Sequence, residues 1–71
     1  KPLTLKEQQE YIVSALPGVG PVLSKPLLKK FGSVKNIVNA SEKELKEVEL
    51  IGDKKAAKIK EIVDSEYREN Q

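Results

Sequence analysis

The chain has no cysteine, histidine, methionine or tryptophan, and its 71 residues include only two tyrosines and one phenylalanine. Without cysteine there is no disulfide and no thiol nucleophile, and without cysteine or histidine the usual structural zinc site has no ligands. Without histidine, Ser14, Ser24, Ser33, Ser41 and Ser65 lack the base that activates a hydroxyl in nucleophilic catalysis. The carboxylates fall at helix caps and surfaces, not at the spacing of a two-metal site. No apolar run approaches the length of a membrane span, and no signal-peptide pattern is present. The expected class is therefore neither enzyme nor membrane protein, with no metal and no cofactor. The absence of cysteine fits a reducing, cytoplasmic setting. The absence of methionine points to a piece of a longer protein.

A chain of this length makes one small domain whose core is marginal without a staple or a partner. Lysine and glutamate dominate the charged residues, a bias typical of thermophiles. The formal net charge is only +2. Its distribution is more informative than its size. Lys25, Lys29, Lys30 and Lys35 follow one glycine turn with no acid among them, and Lys54, Lys55, Lys58 and Lys60 follow another. Solvated lysines on exposed faces are the ordinary fate of such residues. Here the arrangement occurs twice.

The first turn is Leu16-Pro17-Gly18-Val19-Gly20-Pro21. Glycine at 18 and 20 allows positive φ and the close approach of another backbone. Pro21 suits the first position of a helix, where its missing N–H costs nothing. Free N–H groups of a tight turn, next to a helix N-terminus, make an anion site suited to phosphate. The same residues would also serve as plain punctuation between helices. The second half tips the balance. Val48-Glu49-Leu50-Ile51-Gly52-Asp53 lies in register with the first turn, pairing Leu16 with Val48, Val19 with Ile51, Gly20 with Gly52, Ser24 with Ala56 and Leu27 with Ile59. One supersecondary unit is used twice, because one unit alone cannot bury its apolar face. The third glycine of a dinucleotide fold and the Lys-Ser/Thr of a P-loop are both missing.

Five helices and no strand are expected. Thr4 and Glu7 have capping-box spacing and open a helix to about Ala15, with Leu5, Ile12, Val13 and Leu16 on one stripe. The next helix runs from Pro21 to Phe31, burying Val22, Leu23, Leu27, Leu28 and Phe31, and stops at Gly32. Pro26 predicts a kink, or a break after which Ser24 caps a restarted helix. Ser33 caps a short connecting helix with Val34, Ile37 and Val38. Ser41 and Glu44 form a second capping box for a helix to about Val48. The last helix starts at Gly52 or Asp53 and carries Ala56, Ile59, Ile62, Val63 and Tyr67.

These residues resemble a known family. The turn at 16–21, Leu27-Leu28, Phe31-Gly32, Asn39-Ala40-Ser41 with Glu44-Leu45, and Ile51-Gly52 with Ala56 look like an all-α tandem helix-hairpin-helix domain of five helices. Residues 4–32 would be the first hairpin unit, 33–40 the connecting helix and 41–68 the second unit. The pattern is most similar to the C-terminal region of XPF-type structure-specific nucleases, especially the archaeal Hef-type helicase-nucleases. The C-terminal domain of UvrC is the alternative, and a purely protein–protein helical module is another. The resemblance implies non-sequence-specific binding to DNA, of a branched or forked kind, in a repair nuclease whose catalytic residues lie outside this segment. Gly18, Val19, Gly20, Lys25 and Lys29 of the first hairpin, with Ile51, Gly52, Lys54 and Lys55 of the second, would contact phosphates. It also implies a homodimer, with Ile59, Ile62, Val63 and Tyr67 at the interface. The second hairpin departs from the pattern. Leu50 stands where the first has Gly18, and Asp53 where it has Pro21, so the first is the stronger expected contact.

Overall fold

The computed structural model describes residues 3–70. Five helices follow one another: α1 (Leu5–Ser14), α2 (Gly20–Phe31), α3 (Val34–Asn39), α4 (Glu42–Leu45) and α5 (Asp53–Asp64). No strand occurs among the described residues. Both capping boxes form. The Thr4 hydroxyl accepts from the Glu7 N–H at 3.1 Å while the Glu7 carboxylate accepts from the Thr4 N–H at 2.9 Å. Ser41 and Glu44 repeat the pair at the same distances. Those backbone hydrogen bonds hold both glutamates below their ordinary pKa. Ser33 caps α3 through the Asn36 N–H, and Gly32 ends α2 with φ +86°. That left-handed stop is where glycine is favoured.

The repeat survives in three dimensions. The core is Val13, Val19, Leu23, Leu27, Ile37, Ala40, Leu45, Val48, Ile51, Ala56 and Ile59. Within it Val13 pairs with Leu45, Val19 with Ile51 and Leu27 with Ile59, each 32 positions apart. Ser24 and Ala56, the small pair, are both buried. Small side chains there let neighbouring backbones approach closely. The Ser24 hydroxyl is satisfied by donating to the Pro21 carbonyl at 3.1 Å. Among the described residues no buried polar side-chain atom lacks a partner.

Four expectations are corrected. First, of the kink and the break that Pro26 predicts, the break does not occur: α2 runs on through Pro26, and Ser24 does not cap a restarted helix. The donor that proline lacks would have met the carbonyl of Val22, one turn back. Val22 is 76% exposed, so this face of α2 is turned to solvent. Second, Val22 lies outside the core. The buried line of α2 runs through Leu23, Ser24 and Leu27, and Val22 sits roughly 100° round the helix from Leu23. Third, Leu5 and Ile12 are exposed while Val13 is buried. Leu5 and Ile12 line up with each other, but roughly 80–100° away from Val13. Fourth, α4 ends at Leu45 and α5 at Asp64, so Val48 lies in a turn and Tyr67 beyond the helix.

Candidate nucleic-acid interface

The two turns between helices are built alike. In the first, the Leu16 N–H donates to the Val13 carbonyl and the Val19 N–H to the Leu16 carbonyl, both at 3.1 Å. In the second, Val48 donates to Leu45 and Ile51 to Val48, again at 3.1 Å. Val19 and Ile51 turn inward as buried plugs. Gly18 and Leu50 take the same left-handed backbone, φ +73° and +75°. The second glycines differ. Gly20 is left-handed at φ +65° and begins α2, whereas Gly52 is extended and precedes α5 as its N-cap. Among the described residues, the N–H groups of Gly18, Gly20 and Val22 find no acceptor, nor do those of Leu50, Gly52, Lys54 and Lys55. Each hairpin thus presents free donors beside a helix N-terminus, where the helix dipole also favours an anion.

Part of the expected lysine set gathers at these turns. Lys54, Lys55 and Lys58 share with Pro17 and Gly18 a shallow concavity of about 130 Å³ that no acidic residue lines. The start of α5 therefore flanks the first hairpin as well as continuing the second. Lys58 was not among the expected contacts. Its signal was available, because it lies one turn after Lys54 on the same helix face. Lys25 and Lys29 lie elsewhere. They line a separate concavity between α1 and α2 with Lys6, Gln9, Glu10, Leu28 and Gly32. Other lysines are engaged within the chain. Lys30 pairs with Glu47 at 3.0 Å, and Lys60 donates to the Val38 carbonyl at 3.2 Å. Asp53, at the start of α5, is paired with Lys46 at 2.7 Å. That hydrogen bond, with the charge behind it, keeps the Asp53 carboxyl below its ordinary pKa and raises that of Lys46. The carboxylate that would repel a phosphate at this hairpin is therefore offset by a neighbour.

A family model described as a SAM-like helix-hairpin-helix tandem matches residues 11–63. The chain belongs to that family. Its helix-hairpin-helix units are the two repeats described above. A Methanocaldococcus jannaschii protein provisionally named an ATP-dependent RNA helicase is 48% identical over 65 residues, covering 92% of this chain and 8% of that protein. The 3'-flap repair endonuclease Xpf of Saccharolobus solfataricus is 42% identical over 64 residues, covering 90% of this chain and 27% of the endonuclease. Among solved structures, XPF from Aeropyrum pernix in complex with DNA matches with a TM-score of 0.85 and 37% identity, over 92% of this chain and 32% of that one. Chains of UvrABC system protein C match as well. The resemblance to XPF-type nucleases and to a helicase is borne out, and the chain spans at most about a third of the length of these relatives.

The residues expected at a dimer interface separate into two groups. Ile59 is fully buried in the chain's own core and has no surface to give a partner. Val63 is half-buried. Ile62 and Tyr67 are exposed, Tyr67 by 87%. They line a concavity of about 450 Å³ with Pro17, Lys58, Glu61 and Arg68. On α5 the buried line is Ala56 to Ile59, and Ile62 sits roughly 60° off it.

Leu50 is a side chain in a glycine's place, 70% exposed at the tip of the second hairpin. A left-handed backbone costs a branched residue about 1–2 kcal/mol. Glycine would remove that cost but add about 0.5–1 kcal/mol of unfolded-state entropy. Leu50→Gly is therefore expected to raise stability by about 0.5–1 kcal/mol, read from urea midpoints at constant m-value. A lower midpoint would mean that the leucine side chain makes contacts worth more than the strain.

Proposed function

We propose that this helix-hairpin-helix tandem is the DNA-binding and dimerisation module of a repair nuclease that acts on branched or forked DNA. It holds phosphates through hairpin N–H groups and adjacent lysines, and reads no base sequence. The observation that carries this reading is the concavity at Gly18 lined by Lys54, Lys55 and Lys58 and by no acidic residue, beside donors with no acceptor among the described residues. The likeness to an XPF–DNA complex supports it. The chemistry of such a nuclease, and of a helicase where one is attached, would reside in other parts of the parent protein, inside the cell with the chromosome. No described helix is long and apolar enough to cross a membrane.

The test is binding of the chain to forked, single-stranded and duplex DNA at two salt concentrations. Phosphate contacts release counterions, so log K should fall with log[salt] by about 0.9 per contact on duplex. Affinity should be indifferent to base sequence. Salt-independent binding, or strong preference for one sequence, would overturn the reading.

Dimerisation rests on Ile62 and Tyr67, which are exposed together where a small core gains from a partner. Buried aromatics are common interface hot spots, worth about 2 kcal/mol or more. Tyr67→Ala is expected to weaken self-association about thirtyfold by sedimentation equilibrium. A wild-type chain that stays monomeric at high micromolar concentration would sink the homodimer.

A further inference from the structure

Lys55 differs from the lysines around it. Lys54 and Lys58 are exposed, whereas Lys55 is half-buried. A Cβ placed on Gly18 would lie 3.1, 3.3 and 3.4 Å from Cγ, Cδ and Cε of Lys55. Three successive methylenes therefore run alongside the bare α-carbon of Gly18. At the far end, Lys55 Nζ donates to the Leu50 carbonyl at 3.3 Å. Gly18 and Leu50 are the matching left-handed residues of the two repeats, so one side chain touches the same point of both hairpins. The position matching Lys55 in the first repeat is Leu23, a core residue. A lysine stem can serve as apolar packing while its ammonium reaches a polar group.

We infer that Lys55 is a positioning residue: its aliphatic stem, seated where Gly18 has no side chain, fixes the first hairpin against the start of α5. Phosphate contact then falls to Lys54 and Lys58. Gly18 serves this packing as well as any ligand, since a side chain there would have to displace the stem. The two hairpins are held at one separation, which lets both meet the same duplex.

The inference rests on the DNA-binding reading for its affinity readout, and a second readout stands apart from it. Lys55→Met keeps the stem and removes the charge, while Lys55→Ala removes both. Each is compared with Lys54→Ala by duplex affinity across a salt series, after thermal melts confirm folding. Lys54→Ala should flatten the salt slope by about 0.9, the mark of one lost phosphate contact. Lys55→Ala should weaken binding about tenfold with the slope unchanged, and Lys55→Met should restore most of that loss. In the absence of DNA, the Gly18 amide resonance should move in Lys55→Ala and stay in place in Lys55→Met. Equal loss in the two Lys55 variants overturns the inference, with or without a change of slope. So does wild-type affinity in Lys55→Ala, or a Gly18 resonance indifferent to the stem. If the wild-type chain binds no DNA, the functional reading fails, and the Gly18 resonance still decides the packing.

Discussion

Gly20→Ala is expected to leave the domain folded and to cost about thirtyfold in DNA affinity. Beyond its chain neighbours and the backbone of its own helix, no described residue lies within 4 Å of a Cβ placed at Gly20, so the new methyl group has open space. Its φ of +65° charges alanine about 1–2 kcal/mol, which a folded domain of this size survives. What the methyl does meet is whatever approaches the Gly20 N–H, a donor without a partner among the described residues. Hydrogen bonds to a charged group are worth about 1.5–3 kcal/mol, and losing one to a phosphate gives the expected factor. Gly32→Ala is the control. Gly32 has φ +86° and equally open space, so it carries a similar backbone penalty at the other end of α2, roughly 18 Å away. If both variants lose affinity alike, backbone strain is the cause and the hairpin leaves the site. Should Gly32→Ala alone lose it, the groove holding Lys25 and Lys29 becomes the interface instead.

The two hairpins were legible because their chemistry is local. A glycine, a capping serine and an apolar plug act within a few residues, and the 32-residue offset exposes the pairing. Thr4 with Glu7 and Ser41 with Glu44 formed the boxes that their spacing predicts. The failures came where two geometries fit one spacing. Leu45 and Val48 are three apart, and both a helix and a turn point them inward. Periodicity finds a stripe but not its width, which is why Leu5, Ile12 and Val22 lie outside the core. The sequence pattern continues the last helix to Tyr67, but Asp64 ends that helix and Ser65 is extended after it. Lys25 and Lys29 follow the first hairpin in sequence, yet α2 carries them to a groove shared with α1. The lysines beside Gly18 come instead from α5, more than 30 residues later. Only the packing of one repeat on the other brings them there, and no local pattern records it.

Leu27→Ala is expected to leave the isolated domain largely unfolded. Leu27 is fully buried on α2, as is its counterpart Ile59 on α5. Truncating such a leucine costs about 2–5 kcal/mol, because the cavity collapses only in part. The domain has little to spare. It measures 35 × 32 × 17 Å, a slab too thin to enclose much, and with no disulfide its core supplies rarely more than about 3–5 kcal/mol. The cost and the total are the same size, so the variant should show a weak, non-cooperative thermal transition by circular dichroism. Ile59→Val, which removes one methyl group, should cost about 0.5–1.5 kcal/mol and keep a sharp transition. A ligand that binds only the folded state adds about RT ln(1 + [L]/Kd) to stability. Duplex DNA at one hundred times its Kd should therefore return about 2.7 kcal/mol and restore helicity to the Leu27→Ala chain. A variant that melts as the wild type does would show that the two repeats are not held together at Leu27. Recovery of helicity with DNA would tie the fold and the proposed interface to a single equilibrium.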